Sequence, residues 1–178
     1  MRPGLQPAAR DAAAGGPAPV PLMNLISSLL APSHVALDVE VTTKKALFEH
    51  VGNMLAGDQG LSRGQILDSL LARERLGSTG LGQGIAIPHG RVKGLREALG
   101  AFVRLRPPIA FEAPDGRPVN LVFVLLVPER ATDTHLQILS ELAQMFSDRD
   151  FRTRLAQAPD ALAAQRLIVG WQAHAPNT

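Results

Sequence analysis

Residues 119–127 read Val-Asn-Leu-Val-Phe-Val-Leu-Leu-Val, and this run constrains the fold more than any other in the chain. A strand with one wet face alternates apolar with polar residues; this one is apolar almost throughout. It is short, rich in β-branched and aromatic residues, and closed by Pro128, which suits a central strand buried on both faces. Burying two faces requires helices over the sheet, so the sequence must supply several.

It does so in alternation. After a short apolar turn near Leu25–Leu30, residues 34–41 alternate as a strand does. Thr42 or Thr43 then caps a helix with Leu47, Val51 and Leu55 on one face, ended at Gly57. Ser62 and Gln65 form a capping-box pair, followed by the stripe Ile66, Leu67, Leu70, Leu71 and a stop near Leu76, with Gly77 as the cap. Residues 85–87 and 98–105 read as strands, the second broken by Pro107-Pro108. Residues 109–112 and the 119–127 run flank an Asp115-Gly116 turn. Thr132, Asp133 or Thr134 starts a helix expected to turn Leu136, Leu139, Ala143 and Phe146 inward. Asp148 and Asp160 start two more, the last ending at Gly170. The interleaving predicts a single α/β domain, a mixed β-sheet flanked by helices.

The remaining composition mostly excludes. The 178-residue chain has no cysteine, so disulfides, thiolate metal sites and cysteine nucleophiles are absent. Its net charge of +2, lack of tyrosine and single tryptophan argue against a nucleic-acid surface. No window offers the ~20 apolar residues of a membrane helix and no secretory signal is present, which predicts a cytoplasmic protein without membrane insertion. Residues 1–21 are rich in Pro, Ala and Gly and read as a disordered leader, with Met23 a possible true start. The domain is expected over 22–171, and 172–178 as a flexible tail.

Chemistry concentrates in "GSTGLGQGIAIPHGR", residues 77–91. Gly77, Gly80, Gly82 and Gly84 precede a short apolar run, then Pro88, then His89, with Gly90 freeing its far side. His89 reads as a loop residue at a strand end, in a segment whose amides can turn toward an anion. His135 falls in the first turn of a helix, where the dipole favours an anion. His34, His50 and His174 lack such surroundings. Arg73-Glu74-Arg75, at a helix end, reads from spacing alone as a solvated charged face, although Arg73 lies where a guanidinium reaches an anion site. No Walker A, dinucleotide, G-x-S-x-G or HExxH motif is present.

"LARERLGSTGLGQGIAIPHGR" and "FVLLVPERATDTHLQILSELAQMF" resemble the IIA domains of the phosphoenolpyruvate-dependent phosphotransferase system, most of all the nitrogen-regulatory branch beside the fructose and mannitol domains. The resemblance runs from about Met23 to Trp171. It implies that His89 is the phosphorylated histidine, that His135 is the second active-site histidine and stabilises the phosphoryl group, and that Arg73 adds charge. It puts Ser78, Thr79 and Gly80 in the segment that shapes the phosphate pocket. It also implies a phosphocarrier of the HPr or NPr type as donor, regulatory proteins or a IIB protein downstream, and no metal or cofactor. The absence of a fused IIB or channel domain favours regulation over sugar uptake. The alternatives are a sugar-specific IIA component, a binding module without chemistry, and a metal site built from His89, His135 and a carboxylate such as Glu112.

Overall fold

The computed structural model describes residues 24–130 and 133–173. The leader, Thr132 as a helix cap, His174 and most of the tail lie outside the described residues. The apolar run is β6, Val119–Pro128, at the centre of a six-stranded mixed sheet. β5, Leu99–Ile109, runs antiparallel along one side of it. Two short strands share the other side: β3, Ile85–Ala86, opposite Leu121 and Val122, then β4, His89–Val92, opposite Leu125 to Pro128, both parallel to β6. β1, Val35–Val39, lies outside β5, and β2, Gly80–Gly82, outside β3.

The side chains of β6 alternate between two cores. Phe123, Leu125 and Val127 pack with Ile138, Leu142 and Met145 of helix α3, Asp133–Ser147, and with helices α4, Arg149–Ala156, and α5, Ala161–Val169. Val122, Val124 and Leu126 pack with Leu47, Phe48 and Val51 of helix α1, Lys44–Leu55, and with Ile66 and Leu70 of helix α2, Arg63–Arg75. Each fully buried Leu or Phe contributes ~1.5–3 kcal/mol, so this strand anchors both layers. The expected caps hold: Thr43, Ser62 with its capping box, Asp148 and Asp160 each accept a backbone N–H at a helix start.

Four expectations need correction. Pro107-Pro108 does not end β5, which continues to Ile109. Pairing with β1 stops at Leu105 and the β6 register shifts between Arg104 and Ile109, so the two exposed prolines sit where no ladder N–H is required. Of residues 109–112 only Ile109 belongs to a strand.

Helix α3 is rotated from the expected face. Ile138, Leu142, Met145 and Phe146 are buried, Leu139 is half-buried, Ala143 is exposed, and Leu136 is 65% exposed. The helix carries two overlapping apolar stripes, and the bulkier one faces the core.

The glycine-rich segment is a β-hairpin, not an open loop. Gly82 pairs with Ile85 across Gln83-Gly84, both with positive φ (58° and 80°), as a two-residue type I′ turn requires. The Gln83 N–H donates to the Asp115 carboxylate (2.8 Å), which pins the hairpin to the β5–β6 connection.

Candidate active site

Pro88 lies where β3 hands over to β4 along β6. Its carbonyl accepts the Leu125 N–H (2.9 Å), and its missing N–H costs no ladder bond. His89 is therefore the first residue of β4, paired with Leu125, and half-buried, where the sequence suggested an exposed loop position. Its Nδ1 lies 2.9 Å from the Ile87 carbonyl oxygen. A carbonyl only accepts, so Nδ1 carries the proton, and in the neutral ring the lone pair is on Nε2.

Gly90 does not free the chain after His89; it is buried and admits a helix. A Cβ there would fall 3.1 Å from the Ser69 carbonyl oxygen, so only glycine lets α2 lie this close to β4. Ser69 Oγ donates to the Arg91 carbonyl (2.8 Å), and Gln65 Nε2 to that of Lys93 (3.4 Å), so α2 occupies the open edge of β4. This contact carries the last turn of α2, with Arg73, to the side of His89. Arg73 Nη1 donates to the Gly77 carbonyl (2.9 Å).

His89, His135 and Arg73 line one cavity of about 520 Å³, together with Arg91, Ser69 and an apolar wall of Leu125, Val127, Leu136 and Leu139. Two arginines beside a mostly apolar cleft suit a small anion, because low local polarity strengthens charge interactions. A slightly larger depression, about 560 Å³, lies between α4 and α5 and contains no histidine.

Ser78, Thr79 and Gly80 do not line the cavity. Ser78 donates to the Phe111 carbonyl and accepts the Gly80 N–H, and Thr79 is buried and bonded to Glu74. Their side chains and amides serve the hairpin behind His89. Glu74 is no member of a solvated face: its side chain is 6% exposed and paired with Lys44 at 2.8 Å. The metal reading loses its carboxylate, since Glu112 is exposed and absent from the cavity; no group of three potential ligands occurs among the described residues. Arg91 and Leu136 are site-lining residues that sequence reasoning missed. Spacing puts Leu136 on the core face of its helix, and only the structure shows it 65% exposed beside the site.

A family model for the phosphoenolpyruvate-dependent sugar phosphotransferase system, EIIA 2, matches residues 28–169, and the chain belongs to that family. It is 42% identical over 148 residues to a nitrogen regulatory protein of Pseudomonas aeruginosa, covering 83% of this chain and 96% of the relative. The crystal structure of nitrogen regulatory protein IIA-Ntr from Neisseria meningitidis superposes with a TM-score of 0.78 at 50% identity, covering 82% of this chain and 99% of that one. A fructose-specific EIIA component of Haloferax volcanii is 34% identical over 145 residues, covering 80% of this chain and 94% of the relative. The similarity favours the nitrogen-regulatory branch over the sugar-specific one. No helix among the described residues is long and apolar enough to cross a membrane.

Proposed function

We propose that this chain relays a phosphoryl group in a phosphoenolpyruvate-dependent phosphotransferase chain of the nitrogen-regulatory kind, with His89 Nε2 as acceptor. The supporting observation is the bond from Nδ1 to the Ile87 carbonyl, which leaves the Nε2 lone pair on a ring that lines the cavity shared with His135 and Arg73. The donor is a phosphohistidine on a small carrier of the HPr or NPr type. Nε2 attacks phosphorus in line as the carrier's N–P bond breaks. The His89 ring takes on the charge of an N-phosphorylated imidazolium and keeps Nδ1–H on Ile87, while the carrier's ring returns to neutral imidazole. No proton need cross. One N–P bond replaces another, so the transfer is near-balanced and runs in both directions.

His135 donates to the phosphoryl oxygens, and Arg73 supplies charge beside them. Phosphorylation then changes the charge presented to downstream regulatory proteins, or the group passes on to a IIB protein. The test is incubation with the carrier, its upstream kinase and labelled phosphoenolpyruvate. One phosphate on His89 Nε2, acid-labile and alkali-stable, is expected; no label, or label on another residue, refutes the reading.

A further inference from the structure

We infer that Glu74 is a positioning residue for the chemistry of His89, acting through Thr79 and Ile87. The inference rests on the reading of His89 as phosphoryl acceptor. The Glu74 carboxylate accepts the Thr79 hydroxyl at 2.6 Å and the Thr79 N–H at 3.1 Å. The Thr79 carbonyl accepts the Ile87 N–H at 3.0 Å. The Ile87 carbonyl accepts Nδ1–H of His89 at 2.9 Å. Four residues thus join a buried carboxylate to the ring that carries the reaction.

The link is mechanical. The N–H and C=O of one residue belong to different peptide units, so charge is not conducted along the chain, but orientation is. Thr79 is held at two points by Glu74 and so presents its carbonyl in one direction. Ile87 is held at its N–H and restricted to extended backbone by the proline that follows, which fixes the aim of its own carbonyl. That carbonyl selects the Nδ1–H tautomer and leaves Nε2 as the nucleophile.

Two further observations separate Glu74 from an ordinary helix residue. It sits in the last turn of α2, where the helix dipole disfavours a negative charge. Its compensation comes from outside that helix, with Lys44 Nζ on α1 at 2.8 Å and the Thr79 amide beyond the helix end. Its own carbonyl accepts the Gly77 N–H (3.2 Å), and the Gly77 carbonyl holds Arg73, so the same residue braces both sides of the site.

The test uses the full chain. Ring ¹⁵N NMR of the unphosphorylated parent should show neutral His89 with its proton on Nδ1. Glu74→Gln keeps the shape and removes the charge. It should shift His89 toward a tautomer mixture and lower kcat for transfer from the carrier by on the order of 10- to 100-fold, the scale expected for a small misplacement, with KM for the carrier unchanged. If the Gln variant does not fold, Thr79→Val, near-isosteric and lacking only the hydroxyl, should give a smaller change in the same direction. Parental tautomer and kcat in the variant that folds overturn the inference, as does a loss of kcat with an unaltered His89 ring signal. A parent that accepts no phosphate would remove the phosphotransfer reading instead, and the ring measurement, made without phosphate, would still decide the Glu74 link.

Discussion

Gly90 stands directly against Ser69: a Cβ on the glycine would lie 3.1 Å from the Ser69 carbonyl oxygen and 3.2 Å from its carbonyl carbon. Ser69 Oγ is nearer still; it can turn aside only by giving up its bond to the Arg91 carbonyl, and the helix backbone behind it must then shift as well. Gly90→Ala should therefore push α2 off β4, destabilising the fold by ~1–3 kcal/mol as overpacking does. Because α2 carries Arg73, phosphoryl transfer should slow more than the stability loss explains. Thermal unfolding together with labelling rate at a temperature where the variant is fully folded checks this; parental transfer in the destabilised protein would show that the helix position is irrelevant to the chemistry.

Much of this architecture is written in local pattern. The 119–127 run announced a strand buried on both faces, and β6 feeds both cores. Thr43, Ser62, Asp148 and Asp160 announced helix starts because a cap is a contact over three residues. Pairings between distant segments were not legible. The glycines looked like an anion cradle because positive φ serves a type I′ turn and a phosphate nest equally well, and only the Gly80–Ala86 pairing distinguishes them. Gly90 looked permissive because its neighbour, Ser69, is 21 positions away (90 minus 69). Glu74 looked solvated because its partners, Lys44 and Thr79, fall outside the periodicity of its helix.

His89→Ala should abolish labelling while leaving the protein folded. The ring is half-buried and makes one hydrogen bond, to Ile87, so its loss should lower stability by only ~0.5–1.5 kcal/mol. Circular dichroism and phosphate incorporation measured on the same sample check this. Label retained at the parental level would place the acceptor elsewhere.

Acid should weaken the fold through two carboxylates. The side-chain hydrogen bond from Arg104 holds Asp38 below the usual carboxylate range, and the backbone N–H groups of Gln83 and Arg117 do the same for Asp115. A group whose pKa falls on folding contributes stability above its unfolded-state pKa and loses it as pH drops through the lowered value. Arg104, 9% exposed, also donates to the carbonyls of Leu155, Ala156 and Ala158, so protonating Asp38 leaves a buried cation without its counter-charge. Asp38→Asn should lower stability at neutral pH and flatten the decline between neutral pH and acid. An unchanged slope in denaturant midpoints across that range would show that the pair does not couple folding to protons.

Arg73→Lys should keep the charge and lose the fork. The guanidinium now uses Nη1 to hold Gly77. An ammonium cannot span both that carbonyl and a phosphoryl oxygen with the same geometry. Transfer should slow with stability nearly unchanged, because Arg73 is only half-buried. Equal rates for the two proteins would assign Arg73 to helix capping alone.

His135 should steady the phosphoryl group without carrying it. It lies in the first turn of α3 and lines the same cavity as His89, whose Nδ1 contact to the Ile87 carbonyl leaves Nε2 as the nucleophile. His135→Ala should therefore still give a phosphoprotein, with the label on His89, at a rate reduced by ~10²-fold, the lower end for removing one preorganised donor, since Arg73 and Arg91 also line the cavity. The reduction should be similar in the forward and reverse directions, because a group that stabilises the shared transition state lowers both barriers equally. Quench-flow labelling by the phosphorylated carrier, and return of the phosphate to unphosphorylated carrier, measure the two rates. A variant as fast as the parent, or a phosphate mapped to residue 135 in the parent, would overturn this division of labour between the two histidines.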